Sequence, residues 1–261
     1  MEHELWFTAL LNNFLPGVAN FVRSLPGSLF GLSGWTAEDP SKPWTNYMAM
    51  EVLGMVVLML LPLLVLKWSV AKPGKLQQIY ELIYEFISEQ AHDVVGHDGP
   101  KHVVMFGTIF LFVLTMNLVG IVPTLESPTM FWPVPVGVAV ATFVYYNFFG
   151  FKVQGPVSYL KHFAGPVWWL SWFLFPIEII SHIIRPVSLS IRLGANMLAG
   201  EQVTNAFLFL THYVIPVIFM GLHVFVSLLQ AFIFMVLAMA YVGGAVAHEG
   251  DEEHEAEAMA V

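Results

Sequence analysis

Long apolar segments alternate with short polar ones along most of this chain. Three apolar runs have the length of about 20 residues that spans a bilayer, and they cover residues 48–66, 103–123 and 131–151. Two longer runs cover residues 167–210 and 213–247. The pattern predicts an all-α polytopic membrane protein with about five membrane helices.

The last two segments are too long for upright membrane helices. Residues 167–210 make 44 residues, which is about 66 Å of helix at about 1.5 Å per residue. The hydrocarbon core of a bilayer is only about 30 Å thick. We therefore expect two long, steeply tilted helices, the first of which Pro176 and Pro186 could kink. The alternative is a set of ordinary steep spans that are broken at these prolines.

Residues 76–95 show apolar positions at helical spacing between acidic ones. This spacing predicts an amphipathic helix that lies on the membrane surface or against a partner. The polar face carries Glu81, Glu85 and Glu89, so attraction to anionic lipid does not explain its position. A protein partner is the better interpretation.

The two ends of the chain differ from the single membrane domain predicted for residues 46–247. In the N-terminal segment, residues 1–45, apolar positions between 10 and 22 fit either a short amphipathic helix or a poorly ordered terminus. Residues 248–261 form an acidic tail whose composition is typical of a solvated, disordered end.

Composition supports the membrane class, since 57% of the 261 residues are hydrophobic and only 11% are charged. The chain has no cysteine, which excludes disulfides and thiolate metal sites. We expect neither a metal nor a cofactor. The net charge of −9 overstates the charge of the body, because six of the 19 acidic residues lie in the tail.

The basic residues predict the orientation in the membrane, because positive charge concentrates in cytoplasmic loops. Six of the ten fall on one side if the segments alternate: Lys67, Lys72, Lys75, Lys101, Lys152 and Lys161. The short loops at 124–130 and 211–216 carry none. We therefore expect the N-terminus outside and the acidic tail in the cytoplasm.

A stripe of polar side chains follows the first long helix, with steps of 3, 1, 3, 3, 4 and 4 that keep them on one face. Its members are Glu178, Ser181, His182, Arg185, Ser188, Arg192 and Asn196. Arginine keeps its proton, and a charge in hydrocarbon costs about 3 kcal/mol even on lenient scales. Arg192 is therefore a candidate functional residue, although an arginine that only fixes packing is the alternative.

Polar residues also mark the last helix and the end of the stripe helix. Glu201 lies nine residues beyond Arg192, half a turn away, and we expect it to face the last helix. On that helix His223, Ser227 and Gln230 share one face. Ionisable groups at both ends of the stripe, with an arginine between them, indicate two aqueous routes separated by a fixed charge. For the serines, contact between helices is an equal alternative.

Two motifs carry a resemblance to a known family. The first is Arg192, Asn196 and Ala199-Gly200-Glu201, preceded by Arg185 and Ser188; the second is His223 followed by Leu229-Gln230-Ala231-Phe232-Ile233-Phe234-Met235. Together they resemble subunit a of the F-type rotary ATP synthase, over residues 45–247. The family often reads Arg-Leu-x-Gly-Asn, whereas this chain reads Arg192-Leu193-Gly194-Ala195-Asn196. A small residue has moved by one position, which changes the helix packing expected there.

The resemblance implies a non-catalytic stator subunit in a bacterial plasma membrane, beside a rotor ring of c subunits and b-type stalk subunits, with no nucleic-acid partner. It implies an outer half-channel lined by Glu201, His223, Asn196 and Gln230. It implies a cytoplasmic half-channel lined by Glu178, Ser181, His182 and Ser188. Arg192 would be the essential charge between them, and Arg185 a supporting charge.

Two other classes of protein fit the sequence less well. A secondary transporter usually contains internal repeats, and the 185–201 pattern has no second copy. An intramembrane hydrolase needs a nucleophile or a metal-binding motif, and neither HExxH nor GxSxG occurs.

Overall fold

The computed structural model describes residues 6–16, 44, 46–69, 75–121, 125–155, 171–210 and 214–246. Within these ranges all regular structure is helical: α1 Trp6–Phe14, α2 Asn46–Ser69, α3 Lys75–Val95, α4 Val103–Val119, α5 Pro133–Gln154, α6 Ser171–Leu210 and α7 Val214–Val246. Short 3₁₀ helices at Gly99–His102 and Pro128–Met130 precede α4 and α5. The predicted all-α class is confirmed. The acidic tail, residues 248–261, lies outside the described residues.

Among the residues that the structure describes, three helical segments are long and apolar enough to cross a membrane: Gly99–Val119, Pro133–Gln154 and Val217–Val246. A shorter apolar segment, Met48–Leu60, lies within α2. These segments confirm the polytopic membrane class. The helix α6 is not among them, because its polar and charged side chains lower its hydropathy.

The helix α6 continues for 40 residues and contains both Pro176 and Pro186. Spans broken at these prolines are therefore not what the chain forms. Each proline removes one backbone hydrogen bond, yet the backbone stays helical on both sides of each. At about 1.5 Å per residue, α6 is long enough to carry the whole polar stripe on one continuous element.

The amphipathic helix predicted over residues 76–95 is confirmed as α3. Ile87 and Ala91 are buried, whereas Glu81, Glu85 and Glu89 are exposed. At the N-terminus, α1 ends at Phe14, so the apolar positions predicted to continue it to residue 22 fall partly outside the described residues.

The chain divides into two compact units. The first comprises Met1–Lys72, Leu111–Pro135 and Arg192–Ala231. In it α1 packs against α2 around Leu11, Trp44 and Met48. The side-chain oxygen of Asn12 accepts from the Trp44 backbone N–H at 2.8 Å, and its amide nitrogen donates to the Trp44 carbonyl at 3.3 Å. This pairing fixes the start of α2 against α1.

The second unit comprises Pro73–Phe110, Val136–Ile191 and Phe232–Val261. Gly243 of α7 approaches α3 so closely that a Cβ atom there would lie 3.1 Å from the Val94 carbonyl oxygen. The amide nitrogen of Gln154 donates to the Ala245 carbonyl at 3.2 Å. These contacts join α3, α5 and α7 within this unit.

Candidate functional site

The polar stripe belongs to both units, because the division falls between Ile191 and Arg192. In the second unit Ser181 and Ser188 are exposed, and Glu178, His182 and Arg185 are half-buried. In the first unit Arg192 and Asn196 are exposed. The two parts of the stripe therefore have different neighbours and are described separately.

The side chain of Arg192 has no ion-pair partner in the part of the chain that the structure describes. The opposite side of the helix is packed, since Leu193 and Met197 are fully buried. Beside the exposed stripe residues Ser188 and Asn196, the surface of α6 carries the apolar side chains of Ile191, 48% exposed, and Leu198, 41% exposed. The guanidinium thus stands on an open face without a counter-charge from these residues.

The structure shows how Gly194 and Ala195, where a small residue has moved by one position relative to the family pattern, pack next to Arg192. Gly194 is buried, and a Cβ atom there would lie 3.5 Å from Pro135 Cγ and 3.8 Å from the Thr129 carbonyl oxygen. These are ordinary van der Waals distances. Ala195 is exposed, on the side of Arg192. The shift therefore leaves a small residue on each side of the helix.

On α7 the three polar residues predicted to share a face are all buried: His223, Ser227 and Gln230 are 7%, 0% and 2% exposed. The Asn196 amide nitrogen donates to the Gln230 side-chain oxygen at 2.9 Å. This bond joins α6 and α7 one turn beyond Arg192. Two residues predicted for the same half-channel are therefore in direct contact.

A cavity of about 220 Å³ lies beside this bond. Its walls include Asn196, Gly200, Thr204 and His223, with apolar side chains between them. The His223 Nε2 atom is buried and has no hydrogen-bond partner among the described residues. A Cβ atom on Gly200 would lie 3.2 Å from that nitrogen. The absence of a side chain at position 200 leaves room for the imidazole.

Glu201 has neighbours that the sequence does not predict. The backbone N–H of Ser127 and the Glu126 carboxylate both lie close enough to act on its carboxylate. Its Oε2 atom is buried without a hydrogen-bond partner in the described ranges. We expected Glu201 to face α7, but the groups found next to its carboxylate belong to the connection between α4 and α5.

A buried polar network supports that connection. The Ser127 and Thr129 hydroxyls are 2.7 Å apart, and the Thr129 hydroxyl donates to the Asn117 side-chain oxygen at 2.6 Å. Gly120 permits this approach, since a Cβ atom there would lie 2.8 Å from the Ser127 backbone nitrogen. A signal for this connection was present in the sequence, because Glu126, Ser127 and Thr129 are three polar residues within residues 125–129, between two apolar segments.

In the second unit the stripe makes side-chain contacts of its own. An Arg185 guanidinium nitrogen lies 3.9 Å from a Glu178 carboxylate oxygen, and the guanidinium lies over the Tyr241 ring at 5.4 Å. The His182 Nε2 atom lies 2.9 Å from the Asn147 side-chain oxygen and 3.3 Å from the Tyr146 hydroxyl. Tyr146 and Asn147 were not predicted as site residues, although an asparagine within an apolar helix was a visible signal.

The family described as ATP synthase A chain matches residues 48–243. The chain belongs to this family.

Several curated relatives named ATP synthase subunit a are similar to the chain. The protein of Solibacter usitatus is 48% identical over 241 residues, which cover 92% of this chain and 100% of the relative. The protein of Koribacter versatilis is 43% identical over 257 residues, covering 96% and 100%. That of Bdellovibrio bacteriovorus is 41% identical over 179 residues, covering 69% and 78%. The resemblance to subunit a is confirmed, and membership places the chain in the membrane sector of an ATP synthase.

For an ATP synthase A chain, the space around His223 can be tested by adding one methyl group. We expect Gly200→Ala to lower the rate of proton-driven ATP synthesis, because the new Cβ would lie 3.2 Å from His223 Nε2 and the imidazole would have to shift. The measurement is ATP synthesis in membrane vesicles with equal amounts of assembled complex.

The matched control is Gly221→Ala on α7, where nothing lies within 4 Å of the added Cβ. It should leave the rate unchanged. Equal rates for both variants and the parent would show that the packing against His223 does not matter.

Proposed function

We propose that this chain is the stator subunit that provides two proton half-channels and a fixed arginine beside a rotor ring. Ring rotation would then couple transmembrane proton flow to ATP synthesis. The main support for this proposal is the environment of Arg192. Its side chain is exposed on α6 and has no ion pair among the described residues. Such a charge in a membrane needs a counter-charge, and a rotor carboxylate would supply it.

The outer half-channel is proposed to consist of Glu201, His223, Asn196 and Gln230. The cavity beside Asn196 and His223 offers space for water. Buried atoms without partners on Glu201 and His223 would be satisfied by water or by the transferred proton, since buried polar groups normally have hydrogen bonds. A proton taken up here would neutralise a carboxylate of a c subunit, which lowers the cost of moving that carboxylate into lipid.

The cytoplasmic half-channel is proposed to consist of Glu178, Ser181, His182 and Ser188. The protonated rotor carboxylate would reach it after nearly a full turn of the ring and release its proton there. Arg185 lies next to Glu178 and would act as a supporting charge. Ser181 and Ser188 are exposed on the same stripe, and their hydroxyls would form hydrogen bonds with water between the stripe and the rotor.

Arg192 would stand between the two routes. Its positive charge favours the ionised carboxylate as that group passes, and it repels protons that would otherwise leak directly from one half-channel to the other. Because arginine stays protonated at every working pH, this barrier would persist under all conditions of the cell.

The chain itself would not be catalytic, and its partners would be the c ring and b-type stalk subunits. The amphipathic helix α3, whose acidic face is exposed, is a candidate contact for a stalk subunit. The setting would be a bacterial plasma membrane, with the N-terminus outside and the acidic tail in the cytoplasm.

Substitution of Arg192 tests the proposed function. Arg192→Ala should stop ATP synthesis and open a passive proton leak, because the charge between the half-channels is gone. Arg192→Lys should also cripple synthesis, since lysine offers a compact charge on a flexible stem that loses its proton more readily on burial. The measurement is ATP synthesis and passive proton flux in vesicles with equal amounts of complex.

Arg185→Ala is the control within the same helix, and we expect a milder loss because Arg185 already has Glu178 and Tyr241 beside it. Synthesis at the parental rate in Arg192→Ala vesicles would refute the rotary function of this stretch.

Cysteine labelling tests the orientation, and the chain contains no native cysteine to interfere. Asn13 on α1 and Glu85 on α3 are both exposed. In intact cells a membrane-impermeant maleimide should label Asn13→Cys and not Glu85→Cys, and inverted vesicles should give the reverse. Labelling of Glu85→Cys from outside, with Asn13→Cys protected, would overturn the orientation.

A further inference from the structure

His182 is packed against a single face of α5. The His182 ring lies 5.1 Å from the Phe143 ring and 5.3 Å from the Tyr146 ring, measured between centroids. Asn147 completes this face, since positions 143, 146 and 147 are neighbours on a helix surface. The imidazole therefore has a defined position within the second unit.

The orientation of the Asn147 amide follows from its contact within α5. Its amide nitrogen donates to the Phe143 backbone carbonyl at 2.7 Å. A carbonyl oxygen can only accept, so the nitrogen and not the oxygen must face it. The Asn147 side-chain oxygen is therefore the atom that faces His182, at 2.9 Å from Nε2.

The orientation of the Asn147 amide also determines which imidazole nitrogen of His182 carries the hydrogen. An amide oxygen has no hydrogen to donate, so at this distance His182 Nε2 must carry a hydrogen. The Tyr146 hydroxyl, 3.3 Å from the same nitrogen, can then act as a second acceptor. If Nε2 were unprotonated, its lone pair would face the lone pairs of the Asn147 oxygen. Neutral His182 is thus held as the Nε2–H tautomer, and Nδ1 is the nitrogen at which it gains and loses a proton.

We propose that Asn147 is a positioning residue that holds His182 as the Nε2–H tautomer and thereby directs proton exchange in the cytoplasmic half-channel to Nδ1. The second part rests on the proposed function of His182. No bond other than that to the exchanging proton forms or breaks: Nδ1 takes a proton from one neighbour in the path and passes it to the next.

The charged and titratable groups around His182 come from several elements of the second unit. Glu178 and Arg185 lie on α6 itself, and their charges act on the imidazole. Tyr146 contacts it from α5, and Tyr241 of α7 lies 5.8 Å from the Tyr146 ring. The Asn147 oxygen, at 2.9 Å from Nε2, is a closer acceptor than the Tyr146 hydroxyl at 3.3 Å.

The test uses the assembled ATP synthase in lipid, with ¹⁵N-labelled histidine and magic-angle-spinning NMR. The His182 signals are assigned by their loss in the His182→Gln variant. The parent should show neutral His182 as Nε2–H. Asn147→Leu, which removes the acceptor, should give a mixture of both tautomers. Asn147→Asp, which keeps an acceptor oxygen, should restore the Nε2–H form.

The control is Thr142→Val, a buried residue of α5 whose hydroxyl donates to the Val138 carbonyl of its own helix. It also loses one side-chain hydrogen bond, and it should leave the His182 signals unchanged. An Nδ1–H signal in the parent, or an unchanged Nε2–H signal in both Asn147 variants, would overturn the positioning of His182 by Asn147.

ATP synthesis as a function of cytoplasmic pH separates this inference from the function on which it rests. We expect Asn147→Leu to lower the rate and shift its pH profile, and His182→Gln to lower it further. A tautomer change with unaltered synthesis in Asn147→Leu, while His182→Gln is slow, would overturn the directing role of Asn147. Parental synthesis in His182→Gln would instead refute the place of His182 in the half-channel, and the NMR result would still decide the positioning.

Discussion

A guanidinium that cannot lose its proton is the constraint on which the rest of this chain depends. A charge at the centre of a membrane helix costs about 3 kcal/mol even on lenient scales, and Arg192 meets no carboxylate among the described residues. Its open face, bordered by the exposed Ile191 and Leu198, is suited to apolar contact around a central charge. In the proposed arrangement, a carboxylate from another subunit and water in the proposed half-channels would offset this cost.

The two arginines of α6 illustrate the difference between a charge that is satisfied within the chain and one that is not. Arg185 has a carboxylate of Glu178 at 3.9 Å and the face of the Tyr241 ring at 5.4 Å. An aromatic face stabilises a cation by about 0.5–1 kcal/mol at exposed sites. Arg192 has neither kind of neighbour in the described ranges. This contrast supports the proposed rotor contact for Arg192 and the proposed supporting role for Arg185.

Much of the fold could be predicted because it depends on local sequence. The lengths of the apolar runs predict α2, α4, α5 and α7, and the spacing of polar residues predicts the stripe on α6. The period of a helix also places His223, Ser227 and Gln230 on one buried face. What periodicity cannot supply is the identity of the element that packs against each face.

For that reason the partners of the ionisable groups were missed. Glu201 meets the connection that contains Glu126 and Ser127, which lie some 75 residues earlier in the chain, and a helical period gives only the direction in which it points. His182 meets Asn147 across 35 positions. Both contacts arise from tertiary packing. In the sequence they were indicated only by polar residues that lie in or between apolar segments.

Arg192 is proposed to face a carboxylate of the rotor, and a structure of the intact complex in lipid would test this contact. The distance to measure joins the Arg192 guanidinium to the nearest carboxylate of the ring. We predict that in at least one rotary state this distance is within about 4–6 Å, the range in which opposite charges favour each other's ionised forms. An Arg192 side chain that points away from the ring in every rotary state, or that pairs with a carboxylate of its own chain throughout, would contradict it.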